Sequence, residues 1–313
     1  MASGPVSNDQ LAAIPQRLRS SWLRCADAYG IDSGGRMLEE LLCPAELRQV
    51  REQMGSMMKA TDPELDRLHG IVSNLDYTVL LANPDGIIVS RRGDAPFEKG
   101  CRRWHLWPGA RWGEDLVGTN GVGTSLREER PVTVHMDHHW RLNLRYLTCT
   151  AVPFYGPDGK VAGTLDASST RPDPTGRVGT MMEAVLIDAA RRLERRSFLE
   201  AFHNRTVVML GDGDDISLPM VALDESRVIV GATQAARKKL NLPEGDTSGV
   251  SFDLSAQAAG IPDFREAERS VIEGALAMSQ GKITPAARLL GISRSTLHRK
   301  IKAMSATSPE EPQ

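Results

Sequence analysis

The residues best suited to chemistry lie close to the C-terminus. Between Gly281 and Met304 stand Lys282, Arg288, Arg294, Arg299, Lys300 and Lys302 with no acidic residue; this +6 segment in a chain of net charge −2 leaves −8 on the remainder. A guanidinium fork matches a guanine edge and a lysine matches a phosphate, so a compact basic end on an acidic body is a footprint of nucleic-acid binding. A solvated basic helix would carry the same charge. A second cluster, His135, Asp137, His138 and His139, follows no metal-ligand spacing and reads as a pocket wall or loop, with no metal assigned. The four cysteines, Cys25, Cys43, Cys101 and Cys149, lie far apart without a CxxC pair. They are expected to be free thiols in a reducing compartment rather than a disulfide framework. Cys149, on a strand-like run, reads as a buried small apolar group ahead of a redox sensor. Trp104, Trp107 and Trp112 suit an aromatic pocket or an ordinary core. No nucleophile has a convincing base, so an enzyme is not expected.

The basic residues need helices to present them. A first helix is predicted from Asp263 to Ser279, capped by Asp263, with Val271, Ile272, Ala275 and Leu276 as its apolar stripe. Gly281 stops it. Thr284 is the expected cap of a second helix with Pro285 at its first position, where a missing N–H costs nothing. Gly291 supplies the turn. Ser293 then caps a third helix from Arg294 to Ala303 in which Leu297 and Ile301 face inward. Arg294, Ser295, His298, Arg299 and Lys302 face outward. Small alanines, a glycine turn and a basic third helix are the ingredients of a helix-turn-helix.

Upstream, 313 residues are too many for one ordinary domain, while 41% hydrophobic and 25% charged residues fit a globular chain. No apolar run is long enough to span a membrane, and Met1–Gln10 lacks the features of a signal peptide, so a cytoplasmic location is expected. Residues 1–16 read as unstructured. From Arg17 to Leu68 the pattern is helical, with breaks expected at Gly34-Gly35, Pro44 and Pro63, and with Ser20 or Ser21 capping the helix that carries Trp22. Two hairpins follow: Thr78–Ala82 and Ile87–Ser90 around Pro84-Asp85-Gly86, and Ala151–Tyr155 and Val161–Leu165 around Pro157-Asp158-Gly159. They predict an antiparallel sheet with a ligand-sized loop region on one face. A long helix is predicted over 178–202; its stripe of Met182, Val185, Leu186, Ala189 and Leu193 suits either core packing or a dimer seam. Residues 206–245 read as a small α/β unit, and a polar linker is expected from Pro243 to about Ile261.

The run from Thr284 to Lys302, TPAARLLGISRSTLHRKIK, closely resembles the Fis-type DNA-binding domain. The resemblance implies that the third helix enters the major groove, with Ser293, Arg294, Ser295, Thr296, His298 and Arg299 toward the bases and Lys300 and Lys302 on phosphates. Ser21–Cys25, Gly109–Glu114, Val117–Thr124 and Leu147–Pro153 resemble the sensor half of the acetoin-catabolism-regulator family of enhancer-binding activators. That resemblance implies a GAF domain holding a small effector, with Trp112, Thr119, Asn120, His138 and Cys149 as candidate contacts. Residues 206–245 look PAS-like. Members of that family carry a sigma-54 ATPase between sensor and DNA-binding end. Here no room separates the two, no GAFTGA sequence is present, and Gly274 to Lys282 fails the phosphate-loop spacing.

The expected architecture is therefore α+β and multidomain: an N-terminal helical region (1–69), a GAF sensor with its signalling helix (70–202), a PAS-like domain and linker (203–258), an all-α helix-turn-helix (259–304) and a disordered tail (305–313). The expected function is ligand-responsive, sequence-specific regulation by a homodimer on a palindromic site without ATP hydrolysis. Double-stranded DNA, a small effector and RNA polymerase are the expected partners, and no cofactor beyond the effector. The competing expectation is an adaptor that forms mixed dimers with a full-length activator.

Overall fold

The computed structural model describes residues 7–35, 41–94, 98–171, 176–211, 217–242, 250, 252, 272, 274–276, 279 and 281–305. The chain forms two compact units, Met1–Ser251 and Phe252–Gln313.

The first unit is built on a five-stranded antiparallel sheet of β1 (Thr78–Ala82), β2 (Ile88–Arg92), β3 (Val132–His135), β4 (Thr148–Tyr155) and β5 (Val161–Ser169), in the order β2-β1-β5-β4-β3. Both predicted hairpins are present, β1–β2 and β4–β5. Strands β1, β4 and most of β5 are buried on both faces, so their apolar runs are continuous rather than alternating. On one face Val79, Leu81, Val152, Phe154 and Leu165 pack against α4 (Ser56–Val72) and α8 (Arg177–Ala201) through Leu65, Leu68, Met182, Leu186, Ala189 and Leu193. The apolar stripe of α8 is thus core packing, with Val185 partly buried against it, and is not free to form a dimer seam. On the opposite face Leu80, Ala82, Ile88 and Cys149 lie under Leu106, Trp112, Val122, Leu144 and Leu147. These come from the irregular stretch between the hairpins, which contains α5 (Glu98–Arg103), α6 (Glu114–Val117) and α7 (Gly121–Glu128).

The N-terminal segment is more ordered than expected. Ser7 opens α1 (Asn8–Ala13) with a capping box: its hydroxyl accepts from the Gln10 amide at 3.2 Å, and its own amide donates to the Gln10 side chain at 3.0 Å. Ile14, Leu18, Trp22 and Cys25 then pack on Val132, Val134 and Trp140 beside β3, with the Trp22 and Trp140 rings edge-to-face at 5.1 Å. Ser20 and Ser21 cap nothing, since α2 runs Gln16–Leu23 and continues as a π-helical turn to Ala28. Pro44 starts α3 (Pro44–Gln53) at its first position, and Pro63 lies inside α4 without ending it. Met57, Ala60 and Thr61 before Pro63, and Leu65, Leu68 and Val72 after it, are all buried, so tertiary burial on both sides outweighs the lost hydrogen bond.

Beyond α8, β6 (Thr206–Met209), β7 (Met220–Leu223) and β8 (Ile229–Ala232) form a three-stranded antiparallel sheet in sequence order, followed by α9 (Gln234–Lys239). Phe198 of α8 joins Met220 and Ala222 in one core. Glu194 of α8, 1% exposed, accepts from the Ser217 hydroxyl at 2.7 Å and the Leu218 amide at 3.1 Å, which ties the small sheet to the long helix.

The second unit contains α10 (Ile283–Leu289) and α11 (Arg294–Ser305). Ile272, Ala275, Ala286, Ala287 and Leu297 are its buried core. The cap expected at Asp263, Val271, and most of the linker predicted from Pro243 to Ile261 lie outside the described residues. The cap of α10 is Lys282 rather than Thr284, which makes Pro285 the third residue of the helix rather than its first; it still lies in the first turn, whose amides are unpaired in any case, so the proline is accommodated.

Candidate DNA interface and sensor site

The turn between α10 and α11 is set by Gly291, whose φ of +65° is left-handed, and the Ile292 amide reaches back to the Ala287 carbonyl at 3.0 Å. Ser293 caps α11: its hydroxyl accepts from the Thr296 amide at 3.1 Å and contacts the Thr296 hydroxyl at 2.7 Å and the Ser295 hydroxyl at 2.8 Å. Both Ser293 and Thr296 are therefore engaged in the helix start. Leu297 faces the core, while Arg294, Ser295, His298 and Arg299 are exposed and line one concave surface. Lys300 is half-buried, and Lys302 lies on the same helix. The arrangement presents two guanidinium groups and an imidazole on one face of a helix held rigid by its cap, as base-edge reading requires.

In the sensor sheet the five candidate contacts are dispersed. Trp112 is buried, its indole N–H donating to the His105 carbonyl at 2.8 Å, and its own carbonyl accepts from the Asn120 side chain at 3.1 Å. Asn120 caps α7 by accepting from the Gly123 amide at 2.8 Å. Thr119 pairs with the Ser21 hydroxyl at 2.7 Å. These three are fully engaged in holding the motif Val117–Thr124 together. Gly118 helps to close the same motif, since its φ is +81° and a Cβ there would come within 2.6 Å of the Trp140 ring.

Ser21 and Arg24 explain why the N-terminal motif reads as it does. Buried Glu114 accepts from the Ser21 hydroxyl at 2.7 Å and from Arg24 at 2.6 and 3.1 Å, and Arg24 also bonds Glu128 at 2.6 Å. The Glu114 and Glu128 carboxylates hold the Arg24 guanidinium firmly charged. Charge-assisted bonds thus fasten α2 to α6 and α7.

His138 is half-buried, its carbonyl accepting from the Trp22 indole at 2.8 Å; burial holds its imidazole below the usual histidine range. His139 is fully buried, with Nδ1 at 3.0 Å from the Met136 carbonyl, and burial pushes it down to about 4. Among the described residues no group of three His, Cys, Asp or Glu is placed to hold a metal ion. Trp107 is stacked by Arg102 at 3.7 Å and Arg91 at 5.1 Å.

Cys149 alone of the five stands on the inner sheet face, 2% exposed, its thiol pushed up by burial and by the neighbouring Asp166. Asp166 is the residue that sequence reasoning passed over. On β5 it sits between Leu80 of β1 and Ala151 of β4, and Ser168, two residues on, sits between Thr78 and Cys149. Oδ1 of Asp166 accepts from the Ser168 hydroxyl at 2.5 Å; Oδ2 has no hydrogen-bond partner among the described residues. Asp166 is 1% exposed, and burial pushes its carboxyl up to about 7. The available signal was an acidic residue in the middle of an otherwise apolar and small strand, Val161–Ser169.

The described residues form a five-stranded antiparallel sheet flanked by helices in one unit and a helix-turn-helix in the other. Residues 264–304 match the Fis family of bacterial regulatory proteins, and residues 36–175 match the MimR N-terminal domain. The chain is 32% identical over 238 residues to the acetoin catabolism regulatory protein of Cupriavidus necator, covering 74% of this chain and 35% of that one. It is 25% identical to the acetoin dehydrogenase operon transcriptional activator AcoR of Bacillus subtilis, over 73% of this chain and 37% of that one. It is 27% identical to the propane 2-monooxygenase operon transcriptional activator MimR of Mycolicibacterium smegmatis, over 64% and 38%. The chain thus spans about a third of the length of the curated relatives it matches. In fold it is similar to a chain of the E. coli DhaR(N)–DhaL complex, with a TM-score of 0.53 at 15% identity over 78% of this chain and 86% of that one. No helix among the described residues is long and apolar enough to cross a membrane.

Proposed function

We propose that this chain is a ligand-responsive, sequence-specific regulator of transcription that binds a palindromic DNA site as a dimer and works without ATP hydrolysis. The observation that carries the reading is α11, which offers Arg294, Ser295, His298 and Arg299 on one exposed face. A single reading helix covers too few base pairs for useful specificity, so two copies on a two-fold site are required. Fewer than a hundred residues separate α8 from α10, too few to insert an ATPase domain of ordinary size, which leaves occupancy of DNA or contact with polymerase as the route of control. The effector binds in the sensor domain, and acetoin is the first compound to test, given the names of two relatives.

The test is selection of genomic DNA fragments by the purified chain beside an Arg294→Ala, Arg299→Ala double variant, with and without acetoin. Enrichment of a palindrome by the wild type alone supports direct reading. No enrichment by either at moderate salt overturns it and favours an adaptor working through a full-length activator.

A further inference from the structure

The stripe of α8 that could have joined two copies is spent on the core, so a dimer contact has to lie elsewhere. The small sheet offers one, because its two edges are unlike. Along β8 the Ile229 amide donates to the Val250 carbonyl at 2.9 Å, so further chain covers that side. Along β6 no backbone group among the described residues pairs with the outer side.

The direction of each β6 amide follows from its neighbours. The Leu210 amide donates to the Pro219 carbonyl at 2.8 Å, and on the far side of β7 the Thr233 amide donates to the Met220 carbonyl at 2.9 Å. Bonded pairs alternate along an antiparallel ladder, so Thr206 and Val208 address β7 through Leu223 and Val221. The N–H and C=O groups of Val207 and Met209 therefore point away from the sheet. Edge strands are commonly guarded by lysine, proline or a bulge. Thr206–Met209 has none of these, and its pairing with β7 runs without a register shift. Val207 packs on the core of Phe198, Met220 and Ala222, while Met209, on the same face, is 47% exposed.

We infer that β6 is the edge by which two copies of this chain associate, each β6 pairing antiparallel with the other about a two-fold axis at Val208. The inference rests on the reading of the chain as a dimer on DNA, and it names the surface that makes the dimer. About that axis Val207 of one copy lies opposite Met209 of the second copy, and each outward amide meets an outward carbonyl. Met209 then covers Val207 of the second copy. Arg205 falls opposite Gly211, whose φ of +91° ends the strand, so the like charges on the two copies of Arg205 are not opposed. A two-fold pairing closes on itself, and with β8 already covered by Val250 the association stops at two. A peptide strand from another protein would be chosen by side-chain pockets or charges beside the edge; Thr206–Met209 carries no charge, and its apolar side chains match those of its own copy.

Sedimentation equilibrium of the full chain over a range of concentrations gives the dimer dissociation constant. Met209→Pro deletes an outward amide in each copy and none that β7 uses, a position where proline is tolerated in a sheet. It is expected to raise the constant about 10-fold or more and to leave the melting temperature of the dilute chain unchanged. Val208→Pro deletes an amide that β7 uses and is expected to lower that melting temperature. Should Met209→Pro fail to fold, Met209→Lys, which restores an ordinary edge guard at a half-exposed side chain, is expected to raise the constant as well. The register is tested by Val208→Cys combined with Cys43→Ser, which removes the exposed native thiol. Residues facing each other in a non-bonded pair stand about 4.5 Å apart at Cα, within reach of a disulfide. Diamide is expected to oxidise the two thiols at position 208 to one disulfide between the copies, and to link Thr206→Cys chains far less. A wild-type chain that stays monomeric, a Met209→Pro dimer as tight as wild type, or equal cross-linking at 206 and 208 overturns the assignment. If the wild type enriches a palindrome and Met209→Pro dimerises as tightly as it does, the regulator reading stands and this edge falls.

Discussion

On α11 the polar side chains Arg294, Ser295, His298 and Arg299 point into solvent, whereas on the inner sheet face Asp166 is shut away with one oxygen unpaired. The first set is solvated and costs the fold little. The second is desolvated in advance, so its cost falls on the stability of the chain itself. The two regions should therefore respond differently to the same kinds of change, and measurements that separate them follow.

The largest effect is expected at Asp166. Its carboxyl stays protonated in the fold up to about 7, whereas in the unfolded chain it ionises near 3.8. The folded state thus holds an extra proton between these values, and stability falls as pH rises through the window. Asp166→Asn cannot ionise, so its stability relative to wild type should grow by on the order of 4 kcal/mol from pH 4 to pH 8. Urea unfolding at several pH values measures the gap, and a gap that stays constant would break the contrast.

His139 should behave in the opposite sense. Burial holds it neutral down to about 4, against 6.5 when free, so the unfolded chain takes up the proton first and stability is lost as pH falls from 6.5 toward 4. On passing from pH 7 to pH 4 the wild type should lose on the order of 3 kcal/mol more than His139→Gln. Equal losses would show that His139 is hydrated in the fold.

A smaller effect tests the fastening of the N-terminal helix. Glu114→Gln keeps an acceptor for Ser21 but removes the charge that Arg24 faces at 2.6 Å, and should cost about 2 kcal/mol in thermal unfolding. A loss confined to the first helices in hydrogen exchange would localise it. The smallest effect on folding, and a specific one on binding, belongs to α11: Arg299→Ala should weaken DNA binding by about 1–3 kcal/mol with relaxed preference at one base pair. Unfolding should move by less than about 0.5 kcal/mol. If Arg299→Ala lowers affinity equally for all sequences, the side chain contacts phosphate and not a base.

The order of these elements was legible to differing degrees. Gly291, Ser293, Leu297 and Ile301 announced α11 and its exposed face because a helix repeats along the chain, so that one stretch of sequence specifies which residues share a side. The hairpins were legible from Pro-Asp-Gly turns between apolar runs, and the helix over 178–202 from its stripe. The capping box at Ser7 and Gln10 was equally readable and went unread, while Pro63 misled because local propensity is outweighed when both halves of a helix are buried. Val117–Thr124 was recognisable as a motif, yet its residues turned out to hold Trp112, Trp140 and Ser21 in place.

What the sequence by itself determined is the exposed basic face of α11 and the alternation of helices and hairpins, because both depend on near neighbours. What only the tertiary structure decided is the inner face of the five-stranded sheet: Thr78, Cys149 and Ser168 come from strands far apart in the chain, and Asp166 meets Gly121 only once α7 lies on the sheet. Lateral strand pairing sets those juxtapositions, and no periodicity within a single segment encodes which strand will lie beside it.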